Sequence, residues 1–199
     1  LKNLILSIFS IVITIFLIEF TYSLYQVSSF KANKSSNQGR NKFDEYKILK
    51  KTNEFITVAA TPASLINDER LKNNLFPLSG ISNRLTVDCN ENGYFSKYYS
   101  DRYGFNNKDD LWDKKVELLL IGDSYTHGAC VNYLDTFAGN FNLKYNTISL
   151  GYGGNGPIIE LGTIKEYINL INPKKIIWFF TEGNDLQDII REFNHPLLK

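Results

Sequence analysis

The stretch "KKVELLLIGDS", residues 114–124, decides the fold. Charge at Lys114, Lys115 and Glu117 gives way to four apolar residues, Leu118 to Ile121, and the run stops at Gly122, Asp123 and Ser124. A short apolar run bounded by charge and glycine reads as a strand buried on both faces. The pattern then repeats. "YNTISLGYGGNG" (145–156) gives a second short strand and a glycine-rich turn. "PIIELGTIKEYINLIN" (157–172) opens on a proline and spaces Leu161, Ile164, Ile168 and Ile171 along one helical face. Asn172-Pro173 should end that helix. "KKIIWFFTEGND" (174–185) is a third apolar strand with a polar end, and "LQDIIREF" (186–193) reads as helical again. Strands alternating with helices imply βαβ units and a parallel sheet.

In an open parallel sheet, ligands bind outside the carboxyl ends of the strands. The three strands end in Gly122-Asp123-Ser124, Gly151 to Gly156, and Gly183-Asn184-Asp185. Ser124, Gly154 and Asn184 follow one another at intervals of 30 residues, about one βαβ repeat. A lone Gly-Asp-Ser after a strand is often only a helix cap; three polar turns in phase point to one crevice. A serine at such a tip can attack an acyl carbon once a base takes its proton. The backbone N–H groups of Ser124 and Gly154 and the Asn184 amide would supply donors for the resulting oxyanion. The G-x-S-x-G elbow is absent, because Thr126 stands where its second glycine would be.

"IGDSYTHG", "LGYGGNGP" and "EGNDL" resemble the first three sequence blocks of the SGNH/GDSL hydrolase family. The resemblance covers Val116 to Ile190, and "SDRYGFNN" (100–107) is similar to a lead-in found in envelope members that handle O-acylated polysaccharides. It implies a flavodoxin-like three-layer α/β/α sandwich and an esterase, lipase or carbohydrate O-acyl esterase or transferase. It also implies Ser124 as nucleophile, an oxyanion hole of Ser124, Gly154 and Asn184, and supporting roles for Asp123 and Asp185. The family's fourth block, an Asp-x-x-His carrying acid and base, has no counterpart. The only histidines are His127 and His195. His127 lies one helical turn after Ser124, badly placed to take its proton, and reads as a packing residue beside the site. His195, before Pro196, reads as a surface or cap residue. The sequence holds no Met and begins at Leu1, so it reads as a fragment or processed product whose base lies beyond Lys199. A non-catalytic carbohydrate-binding relative is the alternative. A phosphate binder built on "GYGGNG" fits poorly, for that turn lacks a Lys-Ser/Thr.

The opening "LKNLILSIFSIVITIFLIEFTYSLYQ" (1–26) is apolar from Leu4 to Ile18 and aromatic at its end. It reads as a transmembrane signal-anchor, in the membrane through residues 4–25, or as a signal peptide. Residues 27–53 read as a polar linker, and residues 54–199 as the hydrolase-like domain. Both N-terminal readings place that domain on the extracytoplasmic face or outside the cell. A net charge of +1 argues against a nucleic-acid partner, and the expected partner is an acylated carbohydrate or other small ester. Cys89 and Cys130 fit no zinc pattern, and no cofactor motif is present. They could form one disulfide or stay two separate thiols. Six aromatic residues between Tyr94 and Phe105 could stack on sugars or cover the edge of a core.

Overall fold

The computed structural model describes residues 2–36, 40–66, 68 and 76–198. The chain forms two units, one of 1–40 with 91–94 and the other of 41–90 with 95–199. In the first, helix α1 runs from Lys2 to Ser36. Among the described residues no helix is long and apolar enough to cross a membrane. The spanning helix expected over residues 1–26 is therefore not supported. Ser10, Thr14, Glu19 and Thr21 break up the apolar run, and the Thr14 and Thr21 hydroxyls donate back to the Ser10 and Leu17 carbonyls.

The stretch expected to be a linker is structured over much of its length. Residues 31–36 continue α1, and α2 (Lys42–Leu49) belongs to the second unit. Asn41 caps α2 by accepting from the Phe43 and Asp44 amides, while Asp44 accepts from the Asn41 N–H. This reciprocal box satisfies donors that a helix start leaves unpaired. Tyr46 and Leu49 pack on Ile56, Val87 and Phe95. The folded unit therefore starts at Asn41, not at residue 54.

Two small sheets follow. In the first, β1 (Ile56–Val58) runs parallel to β2 (Leu85–Val87), which pairs antiparallel with β3 (Lys97–Tyr99). The second is wholly parallel, in the order β5–β4–β6: β4 is Leu118–Gly122, β5 Thr147–Ser149 and β6 Lys175–Phe179. Every residue of β4 is buried. Leu119 and Ile121 pack with Ile164, Tyr167, Ile168 and Ile171 of helix α5 (Pro157–Ile171). Leu118 and Leu120 pack with Ala138 and Phe141 of helix α4 (Phe137–Phe141) and with Ile177 and Phe179. Successive strand side chains point to opposite faces, so the helices cover both sides. Each fully buried leucine or isoleucine contributes about 1.5–3 kcal/mol.

Expectation and structure differ at Leu161, which is exposed; its place on the covered stripe of α5 goes to Tyr167. The strand β6 is less covered than its apolar sequence suggests: Ile176, Trp178 and Phe180 stay about half exposed. Of the six clustered aromatics, Phe95, Tyr98 and Phe105 are buried and Tyr103 packs against the core, while Tyr94 and Tyr99 remain exposed.

Cys89 and Cys130 form a disulfide with 41 residues of sequence separation. Closing a loop of that size removes unfolded-state entropy worth about 4 kcal/mol, a large share of a typical domain stability of about 5–15 kcal/mol. Replacing both cysteines by serine is expected to lower the unfolding free energy by roughly that amount. Urea unfolding with and without reductant measures it; a midpoint insensitive to reductant would show that the crosslink does not form.

Candidate functional site

The parallel register brings the three turns together. Gly122, the last residue of β4, sits opposite Phe179 of β6, and Leu120 sits opposite Ser149 of β5. All three strands therefore deliver their carboxyl ends to one edge. A Cβ at Gly122 would meet the Thr126 hydroxyl and the Phe179 carbonyl, so the turn after β4 requires glycine. Asp123 then caps the short helix α3 (Ser124–His127), accepting from the Tyr125 amide at 3.0 Å. Asp123 is thus the cap of the Gly-Asp-Ser turn, and Ser124 is the first helical residue.

Ser124 is half-buried, and among the described residues its hydroxyl has no hydrogen-bond partner. A Cβ built on Gly153 would lie 4.0 Å from the Ser124 Cβ and 3.6 Å from the Thr61 methyl. The glycine-rich turn therefore passes directly over the serine. Gly154 has φ +77 and is exposed, a left-handed conformation that favours glycine. The Ser124 and Gly154 amides donate to nothing among the described residues. Asn184 reaches the same place from β6. Its amide donates to Asp123 Oδ2 at 3.3 Å and to Asp188 Oδ2 at 3.2 Å. The site thus joins Ser124, Gly154 and Asn184, with Asp123 linking the first and third.

Asp185 lies behind the site, fully buried. One oxygen accepts from the Thr181 amide at 2.6 Å and closes the turn; the other has no partner. Burial raises its pKa, with the Asp123 and Asp188 charges adding to the shift.

Apart from Asp185, the residues that hold this arrangement were not singled out from the sequence. Helix α6 (Asp185–Phe193) turns its acidic residues inward and its apolar residues out. Asp185 and Glu192 are fully buried, while Leu186, Ile190 and Phe193 are each more than half exposed. Glu192 accepts from the Gly156 amide at 2.6 Å, and from Ile158 and Ile159 at 2.8 and 3.2 Å. These are the orphan donors at the start of α5, where Gly156 offers no side-chain cap. The carboxylate also faces the positive end of the helix dipole. Burial raises the Glu192 pKa, and the three amide bonds oppose that rise. Arg191 donates to the Gly154 carbonyl at 2.8 Å and is held by Asp188 at 3.2 Å. Helix α6 therefore clamps the glycine turn at Gly154 and Gly156. The sequence signal was the spacing of Asp185, Asp188 and Glu192 along one side of a helix, a pattern ordinarily assigned to solvent.

Neither histidine reaches Ser124. His127 is buried in the core, its Nδ1 3.3 Å from the Gly151 carbonyl and its ring against Tyr98 and Tyr152. Burial lowers its pKa, with Asp88 opposing. His195 corrects the surface reading: it is only 4% exposed, packs edge-on to Phe76, and accepts from the Leu197 amide. The Phe76 ring covers it, and its Nε2 has no hydrogen-bond partner among the described residues. Asn155, beside Gly154, is buried with both amide atoms unpartnered. Among the described residues no group of histidine, cysteine or carboxylate side chains is arranged to hold a metal.

No protein-family model, no curated protein and no solved structure matches this chain. Fold and site by themselves define a mixed α/β protein. Its parallel sheet gathers a serine, a glycine turn and an asparagine at its carboxyl edge.

Glu160 completes the buried acidic group. Burial pushes its pKa to about 8; the Trp178 indole N–H opposes the rise, and the Asp185, Asp123 and Glu192 charges add to it. A carboxyl whose folded pKa lies above its unfolded value stabilises the fold as the acid. That contribution is complete below about pH 4.5 and is lost as pH rises towards 8. Glu160→Gln, a neutral isostere, is therefore expected to flatten the decline in stability between those pH values in urea titrations. An unchanged slope would show that Glu160 ionises normally. Glu192→Ala leaves three amides without their acceptor and is expected to cost about 3 kcal/mol or more. A loss under about 0.5 kcal/mol, as for an ordinary surface change, would contradict the clamp.

Proposed function

We propose that this chain is an SGNH-type serine hydrolase or O-acyltransferase. On this reading the parallel sheet with helices on both faces belongs to a flavodoxin-like sandwich. The substrate is an O-acyl group, such as acetyl, on a secreted or envelope carbohydrate. One observation carries the reading. An unbonded, half-buried serine hydroxyl lies at the carboxyl edge of the sheet, beside two undonated backbone amides and the Asn184 amide.

The chemistry follows from those groups. Ser124 Oγ attacks the acyl carbon and forms the C–O bond while its proton passes to a base. The carbonyl oxygen becomes an oxyanion and accepts from the Ser124 and Gly154 amides and from Asn184. Collapse breaks the ester bond, releases the sugar hydroxyl with the returned proton, and leaves an acyl-serine. Water completes hydrolysis; a second hydroxyl completes transfer. Among the described residues no group hydrogen-bonds the Ser124 hydroxyl to mark that base. The disulfide supports an oxidising, extracytoplasmic location.

That missing acceptor also favours a second reading, a carbohydrate-binding protein without catalysis. In it the two carboxylates on Asn184 keep the amide from a substrate oxygen. Labelling by a fluorophosphonate, located by mass spectrometry, separates the two. The hydrolase reading expects covalent label on Ser124. It also expects acetate release from an O-acetylated polysaccharide that falls by about 10³-fold or more in Ser124→Ala and about 10²-fold in Asn184→Ala. Absence of both label and acetate release leaves the binding reading.

A further inference from the structure

A depression of about 420 Å³ opens along β3 and shares no lining residue with the serine site. Its volume lies within the range of small-ligand pockets. Tyr99 and Tyr133 supply its rings, Lys97 and Lys108 its cations, Asn106 and Asn107 its base, and Asp109, whose carboxylate is bound by Arg102, its one acid.

Tyr99 is 67% exposed, although its strand neighbour Tyr98 is buried. Strand alternation sends Tyr98 inward and holds Tyr99 with Lys97 on the outer face. A tyrosine left open on a strand offers a flat apolar surface at low entropic cost. The charges around it are unequal. Lys97 is paired with Glu45 at 3.1 Å, and Arg102 grips Asp109 and Asp113. Lys108 makes no ion pair among the described residues; its ammonium lies 5.7 Å from the centre of the Tyr133 ring. The pocket therefore offers an open ring and one cation without an ion pair; Asp110, whose charge Lys108 feels, is held by Lys114.

The base is fixed. Asn107 donates to Asp101 and to the Ser149 carbonyl, and accepts from the Ser149 amide. Asn106 donates to the carbonyl of His127, three residues after Ser124. The pocket is thus built on the same frame as the serine turn and needs little reorganisation to bind.

We infer that this pocket binds an acidic sugar unit, a uronate whose ring lies on Tyr99 and whose carboxylate meets Lys108. The choice of a sugar over another anionic ring rests on the carbohydrate reading above; the ring and the cation do not. A glycan held there would be anchored away from the ester being processed, which would tie the protein to acidic polysaccharides.

Calorimetric titration of the whole chain with trigalacturonate, maltotriose and AMP tests this. Trigalacturonate is expected to bind about tenfold or more tighter than maltotriose, by one well-placed ion pair. Lys108→Ala should remove that preference and Lys108→Arg should keep it. Tyr99→Ala should weaken both trisaccharides. Both side chains are solvent-facing, and an unchanged near-ultraviolet spectrum shows that the variants are folded. Equal binding of the two trisaccharides, wild-type affinity in both alanine variants, or tighter binding of AMP overturns the proposal. Fluorophosphonate labelling on the same samples separates the two ideas. Label without uronate binding sinks only the pocket, and uronate binding without label sinks only the hydrolase reading.

Discussion

A strand with no polar face must be covered on both sides and along both edges. That constraint, met by β4, organises the larger unit. Leu119 and Ile121 require α5 on one side, and Leu118 and Leu120 require α4 on the other. Its two backbone edges require β5 and β6. Because all three strands are parallel, the same arrangement carries Ser124, Gly154 and Asn184 to one end. Burial of a few aliphatic residues thus sets the geometry of the polar site, with no direct attraction between the site residues being needed.

Around that site, charge is distributed against the usual rule. Helix α6 buries Asp185 and Glu192 and exposes Leu186, Ile190 and Phe193. Burying a carboxylate is costly unless it is well bonded. Glu192 meets that condition through three amides, so its burial stabilises the start of α5. Glu160 meets it by holding its proton. With Arg191 on the Gly154 carbonyl, these groups fix a glycine-rich turn that would otherwise have little to hold it.

The segment "SDRYGFNN" shows how a motif can be legible while its physical role is not. Asp101 is fully buried and accepts from the Tyr103 and Phe105 amides, from Asn107 and from the Trp112 indole. Gly104, at φ +89, packs so close to Gly80 that a Cβ would overlap the Gly80 carbonyl. The loop acts as a buckle between the small sheet and β5. Its aromatics divide: Phe105 goes to the core, while Tyr99, just before the loop, stays in the open.

The sequence by itself determined the three strands, the helix from Pro157 to Ile171 and the three polar strand ends. Each is local: a run of apolar residues, a proline, or a glycine bounds it. It also determined that Asp123 and Ser124 share one turn; that Asp123 is the cap came only from the structure. Only the tertiary structure decided where the charges go. Periodicity shows that Asp185, Asp188 and Glu192 share a side of α6, but cannot say which side is inward, since that depends on three unpaired amides some 34 residues earlier in the chain. The same holds for His127, whose place beside Ser124 in sequence becomes a place in the core once Tyr98 and Tyr152 close around it. It holds for residues 42–49 as well, where a polar sequence became a helix because Tyr46 and Leu49 found Ile56 and Val87 to cover.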